Sequence, residues 1–309
     1  MKSQTAYISH PDCFKHEMGA YHPECPQRLK AIEDNLLASG LMNQLQQYEA
    51  PLATVEQLAR AHTPDYIKNI QSTSPESGLA YLDPDTTMNP QSLNAALRAA
   101  GATVMAVDLI LSQQVKNVFC AVRPPGHHAE SDRAMGFCLF NNVAIGVAHA
   151  IEKYRLQRIA IADFDVHHGN GTEDIFRDDA RVMLCSTFQH PYYPYRGAET
   201  ISKHIVNVPL SAGCDGTTFR KAVTERWLPA LNDFQPEMLF ISAGFDGHAD
   251  DELAQFQLAD ADYVWVTQQL KTLAEKTADG RIVSVLEGGY ELNALGRCVT
   301  AHIKTLSDK

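Results

Sequence analysis

The amino-acid sequence predicts an α/β fold in which a parallel sheet is covered by helices on both faces. Two observations carry this prediction. From about residue 90 onward, short continuously apolar segments alternate with longer segments whose apolar residues recur at helical spacing. Continuous apolar strands are typical of parallel sheets that are buried on both faces. Polar residues also follow directly after four of these strands, which is where open α/β sheets bind their ligands.

The predicted elements alternate regularly in the second part of the chain. The first ninety residues are less regular, and we expect them to form helices and loops that pack around the sheet. Strands are predicted at residues 118–122, 159–165, 182–187, 205–209, 238–242 and 282–286, and helices at residues 90–111, 142–154, 218–231, 259–276 and 292–306.

Composition narrows the class of protein. The 309 residues contain no repeat or obvious linker, so we expect a single domain over residues 1–309. The formal net charge of −11 disfavours nucleic acid as a direct partner. We find no stretch that approaches a membrane span and no secretory signal in the first 14 residues. Seven scattered cysteines without a CxxC motif predict reduced thiols in a cytoplasmic protein.

The most informative segment is Asp-Phe-Asp-Val-His-His-Gly at residues 163–169, directly after an apolar strand. Because strand side chains alternate between faces, Asp163, Asp165 and His167 should share one side. Two carboxylates and an imidazole at a strand end suit a divalent metal ion. A buried hydrogen-bonded Asp–His pair is the alternative for an isolated match.

A third ligand is predicted at the end of another strand. Asp246 follows Ala-Gly-Phe after the apolar strand at residues 238–242. The alternative role for this residue is a helix N-cap, which Asp fills well. Three protein ligands that leave positions open are typical of a catalytic zinc site.

Two adjacent histidines, His127 and His128, follow a Pro-Pro-Gly turn. A metal hydrolase needs a group that takes a proton from water and delivers it to the leaving amine. Each imidazole would need an orienting partner, for which Asp163 and Asn170 are suitable. An Asp-backed ring and an Asn-backed ring would differ electronically. The alternative is a surface turn without chemistry.

Aromatic residues in other loops could complete the site. Tyr290 follows Gly288-Gly289, and its phenol could donate a hydrogen bond to a developing oxyanion. Phe137 and Tyr193 could form the walls of a pocket. Packing in the core or on the rim of the sheet is the alternative for all three aromatic rings.

Together these motifs resemble the histone deacetylase superfamily, specifically its class II-like branch of bacterial acetyl-lysine deacetylases and acetylpolyamine amidohydrolases. Their order and spacing agree across nearly the whole chain. The resemblance implies the arginase/deacetylase fold, with an eight-stranded parallel sheet and helices on both faces. The matching segments are residues 22–29, 123–129, 136–142, 163–172, 243–246 and 288–290.

The resemblance also implies a role for each motif residue. Zinc, or ferrous iron as the alternative, would be bound at the strand ends, and structural potassium close to it. Asn170 stands where class I members carry Asp, which supports the class II-like branch. The implied metal ligands are Asp165, His167 and Asp246, and the implied potassium site is Asp163, Asp165, His167 and Ser186. His204 lies near the position where a second potassium site of relatives often has an aromatic residue, which disfavours that site here.

The implied catalytic groups are His128 with Asn170 as general base and acid, His127 with Asp163 as the electrostatic partner, and Tyr290 as the donor to the scissile carbonyl. Gly136, Phe137 and Tyr193 would line the tunnel for the acyl-lysine, with Leu253 at its rim.

The implied reaction is hydrolysis of an acyl amide that releases acetate. Polyamine-selective relatives carry a glutamate at the tunnel rim, and the matching position is Leu253, with Glu252 next to it. We therefore expect an acyl-lysine protein or peptide as the substrate, with an acetylpolyamine as the alternative. A binuclear manganese hydrolase would need more carboxylates beside Gly169 and Gly247. A catalytically inactive acyl-lysine reader would be expected to lack a motif residue, and none is missing.

Overall fold

The computed structural model describes residues 4–308, and its central feature is one sheet of eight parallel strands. A separate antiparallel pair forms a small ribbon outside it. The strands are β1 (Thr5–Ser9), β2 (Gln46–Glu49), β3 (Ala80–Tyr81), β4 (Thr87–Met88), β5 (Asn117–Cys120), β6 (Ile159–Asp163), β7 (Val182–Gln189), β8 (Ile205–Leu210), β9 (Met238–Ala243) and β10 (Ile282–Leu286). The sheet has the order β2-β1-β5-β10-β9-β6-β7-β8.

Helices connect the strands and cover the sheet. They are α1 (Gln27–Ala38), α2 (Val55–Leu58), α3 (Pro64–Thr73), α4 (Ser92–Leu111), α5 (Asn142–Tyr154), α6 (Asn170–Phe176), α7 (Gly216–Ala222), α8 (Leu228–Phe234), α9 (Asp260–Thr277) and α10 (Leu292–Ser307). Short 3₁₀ helices lie at Pro11–Lys15 and Met42–Gln44, and a π-helical turn at Val223–Trp227 joins α7 to α8.

The helices form two packed groups. Helix α4 packs on α5, whereas α10 packs on α1 and α9. The connections that contain α4, α5 and α6 cross the sheet in the direction of β8. The connections that contain α7, α8 and α9 cross it in the opposite direction, from β8 back to β10. Because crossovers between parallel strands are right-handed, advancing and returning connections cover opposite faces of the sheet. The predicted fold class is therefore confirmed.

The prediction for the first ninety residues is wrong in one respect. They contribute β1 and β2 to the sheet, in addition to helices and loops. Strand β1 is buried but has only three apolar residues between Thr5 and Ser9, which is too short a run to stand out. Strand β2 lies at the edge of the sheet, and its polar residues alternate between half-buried and exposed. An edge strand of this kind lacks the apolar signal that the central strands carry.

Helix α4 corrects a second expectation. By length and composition this helix could cross a membrane, although 67% of its 18-residue apolar stretch is buried inside the fold. It contacts β1, β5 and β10, and small alanine side chains allow this close packing. Burial of this kind is typical of a core helix.

The topology places four chemically important loops side by side. Strands β5, β10, β9 and β6 are consecutive neighbours in the middle of the sheet. Their register aligns Asp163 with Ser242 on one side and with Ser186 on the other. Because all these strands run in the same direction, the segments that follow them emerge at one edge. The loops that carry the tandem histidines, Asp165, Asp246 and Tyr290 therefore meet there.

Candidate active site

Three side chains with metal-binding atoms converge beyond the ends of β6 and β9. Nδ1 of His167 lies 3.1 Å from Oδ1 of Asp165 and 3.1 Å from Oδ2 of Asp246. The ligand atoms of these residues all lie within 4.8 Å of one another. Both carboxylates are buried, and the imidazole is partly exposed. One nitrogen and two carboxylate oxygens around one point fit a divalent ion such as zinc.

The backbone is turned toward this point by the aspartates themselves. Strand β6 ends at Asp163, two residues earlier than predicted. The amide of Asp165 then donates to Oδ1 of Asp163 at 3.1 Å, and the amide of His167 donates to Oδ1 of Asp165 at 2.9 Å. Such bonds from backbone to a preceding Asp side chain replace the sheet ladder with a turn. Alternation still holds, because Phe164 packs away from the cluster against Phe245.

Each ligand carboxylate is also fixed by its other oxygen. Oδ2 of Asp165 accepts from the amide of Gly288 at 2.9 Å, and Oδ1 of Asp246 accepts from the amide of Val166 at 3.0 Å. The N-cap alternative for Asp246 is wrong, because the next helix begins only at Asp260. Backbone donors of this kind orient metal ligands.

Two glycines make this close approach possible. A Cβ atom on Gly244 would lie 2.0 Å from Oδ2 of Asp165. A Cβ atom on Gly288 would lie 2.0 Å from Oδ2 of Asp246. Any side chain at either position would therefore displace a ligand carboxylate.

The charges at this point favour a cation. Burial lowers the pKa of His167, but its hydrogen bonds to Asp165 and Asp246 outweigh burial and raise it to about 10. Burial and the neighbouring charge of Asp165 raise the pKa of Asp246 to about 6. The two carboxylates thus hold a proton on the imidazole between them. A metal ion at the same point would satisfy the same negative charge.

The tandem histidines form the two predicted pairs. Nδ1 of His127 lies 3.0 Å from Oδ2 of Asp163, and Nδ1 of His128 lies 2.8 Å from Oδ1 of Asn170. Both rings are buried, with 2% and 4% exposure, and their centroids are 4.1 Å apart. The surface-turn alternative is therefore wrong.

The two imidazoles carry different charges, as expected from their partners. Burial lowers the pKa of His127, but the charges of Asp165 and Asp163 outweigh it and raise the pKa well above its usual value. Burial and the positive charges of His127 and His167 hold the pKa of His128 well below its usual value. The pair therefore combines one imidazolium with one neutral ring, and only the neutral ring can accept a proton.

Glu287 is a site residue that sequence reasoning missed. Its Oε2 accepts from the amides of Gly126 at 2.7 Å and His127 at 3.1 Å. Its fully buried carboxyl group has a pKa raised to about 7, chiefly by burial. Glu287 therefore anchors the tandem-histidine loop to the end of β10. The available signal was a charged residue directly after a continuous apolar strand.

A buried ionic cluster that joins the first thirty residues to the segment after β5 was also missed. Arg28, Glu24 and Arg123 are all fully buried. Glu24 accepts from Arg28 at 3.1 Å and from Nη2 of Arg123 at 2.6 Å. Arg28 also donates to the backbone beside Tyr290. The segment 22–29 matched the family pattern, but nothing in the sequence assigned its charged residues a role.

The predicted aromatic residues surround the cluster. The Phe137 ring lies 6.0 Å from that of Tyr290, and the Tyr193 ring lies 5.2 Å from that of His128. Gly136, the other residue predicted to line the tunnel, contributes by lacking a side chain. Its φ is +58°, and a Cβ atom would lie 2.3 Å from Cδ2 of His128. Gly136 therefore provides space for that ring.

Leu253 lies beside the segment that carries Tyr192 and Tyr193. Its carbonyl oxygen accepts from the hydroxyl of Tyr192 at 2.6 Å, and the Tyr192 ring stacks on His167 with centroids 5.7 Å apart. The Leu253 side chain is half-buried, whereas Glu252 is exposed. The structure therefore places the Leu253 backbone one residue contact away from His167, one of the three side chains with potential metal-binding atoms.

Ser186 fits the predicted potassium site, whereas His204 lies near the position of a second site and has a ring that can donate a hydrogen bond. Oγ of Ser186 is buried, lacks a hydrogen-bond partner, and lies on the strand beside Asp163. An orphaned hydroxyl beside a carboxylate fits a monovalent cation. Near the position of the second potassium site of relatives, Nε2 of His204 lies 3.1 Å from the carbonyl oxygen of Arg177 and 3.4 Å from that of Phe176. The imidazole can donate to one of these carbonyls.

A second group with potential ligand atoms consists of His248, Asp260 and Cys298. Nδ1 of His248 accepts from the amide of Asp250 at 3.0 Å, so the proton of a neutral ring is on Nε2, which faces Asp260 at 2.9 Å. Arg297 also pairs with Asp260 at 3.1 Å. This group is a hydrogen-bonded ion-pair network with its charges satisfied.

Comparison with known proteins identifies relatives over nearly the whole chain. Residues 22–306 match the histone deacetylase domain family. A histone deacetylase-like amidohydrolase of Pseudomonas aeruginosa is 37% identical over 297 residues, which cover 93% of this chain and 77% of that protein. A polyamine deacetylase of Mus musculus is 37% identical over 306 residues, covering 92% of this chain and 44% of that protein. The crystal structure of the HDA15 HD domain matches with a TM-score of 0.93 and 36% identity, covering 98% of this chain and 88% of that one.

Proposed function

Because the chain belongs to the histone deacetylase family, whose members hydrolyse amide bonds, we propose that it is a zinc-dependent lysine deacetylase. It would remove acetyl or other short acyl groups from lysine side chains of proteins. The observation that carries this proposal is the convergence of three side chains with metal-binding atoms beside the buried His128, whose Nδ1 is paired with Asn170.

The metal would be held by Asp165, His167 and Asp246, with ferrous iron as the alternative to zinc. Bound there, it would act as a Lewis acid on the amide carbonyl and on the attacking water. We also propose a structural potassium ion beside Asp163 and Ser186, supported by the orphaned Ser186 hydroxyl.

The side chains have complementary tasks in amide hydrolysis. Nε2 of His128 would take a proton from the attacking water and pass it to the departing lysine nitrogen as the C–N bond breaks. The imidazolium of His127 would stabilise the negative charge that develops beside it. The phenol of Tyr290, whose pKa is raised by burial, would stay protonated and donate to the oxyanion.

The rim favours acyl-lysine over acetylpolyamine. Leu253 offers apolar contact to a lysine side chain and no charge for a secondary ammonium. The exposed Glu252 is adjacent, and a mouse relative is named a polyamine deacetylase, so the polyamine alternative needs a direct test.

The test is a turnover panel with zinc-loaded protein. It compares acetyl-lysine peptides, longer acyl-lysine peptides, acetylspermidine and acetylputrescine by kcat/KM. We expect acetyl-lysine peptides to have the highest value. Preference for an acetylpolyamine would support the alternative, and absence of turnover on every member would refute the proposed activity.

A further inference from the structure

Asn170, the hydrogen-bond partner of the proposed catalytic base His128, is itself hydrogen-bonded to Glu130. We propose that Glu130 is a positioning residue that fixes the Asn170 amide in the one orientation that leaves Nε2 of His128 free to accept a proton. The inference deepens the proposed deacetylase function and rests on it.

The geometry is a chain of contacts behind the base. Nδ1 of His128 faces Oδ1 of Asn170 at 2.8 Å, and Nδ2 of Asn170 donates to Oε1 of Glu130 at 2.8 Å. Glu130 is buried, with 8% exposure, and its acceptor oxygens also pair with Nη1 of Arg196 at 2.9 Å and with Nη2 of Arg133 at 3.3 Å. These groups lie outside the metal cluster.

The need for Glu130 follows from the symmetry of an amide. The oxygen and NH₂ of Asn170 could exchange places by rotation about the side chain. With Oδ1 toward the ring, Nδ1 of His128 must carry the proton, and Nε2 is the free base. With Nδ2 toward the ring, Nδ1 must accept, and a neutral His128 would carry its proton on Nε2.

Groups that accept and never donate oppose this exchange. Nδ2 of Asn170 also lies 3.4 Å from the carbonyl oxygen of His128 and 3.3 Å from Sδ of Met135, but its contact with Glu130 is the shortest and the only one of the three with a carboxylate. A carboxylate has acceptor oxygens alone, so it attracts Nδ2 of Asn170 and repels Oδ1. An aspartate in place of Asn170 would present the same oxygens in either orientation and would not need this selection. Arg196 and Arg133 hold the Glu130 carboxylate in place from the solvent side.

The first experiment compares Glu130→Ala and Glu130→Gln with the wild type in the whole 309-residue chain loaded with zinc. A Gln side chain can either donate or accept, so it keeps the volume but loses the selection. We expect kcat to fall about tenfold or more in both variants, as for other residues that orient ligands and bases. KM should stay within about twofold. Glu56→Gln, an exposed residue paired with Arg60, is the control and should keep wild-type turnover.

The second experiment separates positioning from general structural damage. In an Asn170→Asp background, Glu130→Ala should not lower kcat. We expect kcat to rise, because the substitution removes the repulsion between two adjacent carboxylates. A loss of equal size in both backgrounds would overturn the inference.

Histidine-selective ¹⁵N NMR provides a readout that does not depend on turnover. The His128 signal, assigned by its disappearance in His128→Ala, should show a protonated Nδ1 in the wild type and a substantial Nε2-protonated population in Glu130→Gln. An unchanged tautomer would overturn the inference. Failure of the wild type to hydrolyse any acyl amide would refute the proposed function instead, while the NMR result would still decide the role of Glu130.

Discussion

The guanidinium of Arg28 lies 4.9 Å from the centre of the Tyr290 ring, although the two residues are far apart in sequence. Nε of Arg28 also donates to the carbonyl oxygen of Gly289 at 2.6 Å, and a second nitrogen donates to that of Glu287. Helix α1 therefore fixes the loop that presents the proposed oxyanion donor. The ion pair with Glu24 holds the arginine in place.

Replacing Arg28 by Met should destabilise the protein and misplace Tyr290. The substitution leaves buried carbonyls without donors and breaks a buried ion pair, for which a cost of about 3–5 kcal/mol is typical. Urea unfolding would measure the free energy of unfolding, and turnover would report on the loop. Lys30→Met, an exposed change in the same helix, should cost less than about 1 kcal/mol. Equal effects of the two substitutions would contradict the anchoring role.

Zinc binding should depend on Asp246 and not on its acidic neighbours. We expect Asp246→Asn to lose most of its bound zinc and its amide hydrolysis, because one anionic ligand is removed. Zinc content after gel filtration, measured by elemental analysis, checks this directly. Asp250→Asn is the matched control, since Asp250 is exposed and pairs with Arg297. Full zinc occupancy in Asp246→Asn would mean that the ion is bound elsewhere.

Much of this site could be predicted from sequence because its residues follow the most apolar strands directly. Asp165, Asp246 and the tandem histidines each come a few residues after a buried run, so topology alone brings them together. The orienting partners Asp163 and Asn170 lie in the same segment as the ligands. Glu287 was accessible in principle, since it directly follows β10.

The remaining residues depend on contacts between distant segments. Arg28 reaches the backbone of residues 287 and 289 from the irregular first part of the chain. Glu130 acts through the side-chain amide of Asn170. Periodicity reports which face of an element is buried, and it does not report which buried charges pair. The edge strand β2 was missed for a related reason, since its pattern is polar.

Gly136→Ala should lower turnover beyond the cost of an unfavourable backbone conformation. Its φ is +58°, and the added methyl group would overlap the His128 ring at 2.3 Å. Gly40→Ala is the matched control, because Gly40 has a φ of +72° and nothing within 4 Å of the added Cβ. Both variants should lose about 1–2 kcal/mol of stability from the left-handed backbone. Only Gly136→Ala should lose kcat, and equal kcat values would show that the ring moves without consequence.

Acid should destabilise the fold partly through His302, which is fully buried between Thr267 and Ser284. Burial lowers its pKa from 6.5 to about 3. Between these values the unfolded chain binds a proton that the folded protein does not. The stability that His302 contributes is therefore complete above about pH 6.5 and is lost as the pH falls toward 3.

The measurement is the free energy of urea unfolding between pH 7 and 5 for the wild type and His302→Gln. One such group contributes a slope of up to about 1.4 kcal/mol per pH unit. The variant should show a shallower decrease by up to this amount. Identical slopes in the two proteins would show that the imidazole titrates normally in the folded state.

Leu253→Glu should shift substrate preference toward acetylpolyamines. The half-buried Leu253 accepts through its carbonyl oxygen from Tyr192, which stacks on the proposed metal ligand His167, so a carboxylate at this position would lie close to the proposed site. It would attract a secondary ammonium and remove apolar contact from a lysine side chain. We expect the ratio of kcat/KM for acetylspermidine over an acetyl-lysine peptide to rise at least about tenfold, equivalent to one close charge pair. Glu252→Leu is the reciprocal control and should leave this ratio unchanged. If the wild type prefers acetylspermidine and Glu252→Leu abolishes that preference, Glu252 is the rim residue and the acetylpolyamine function is correct.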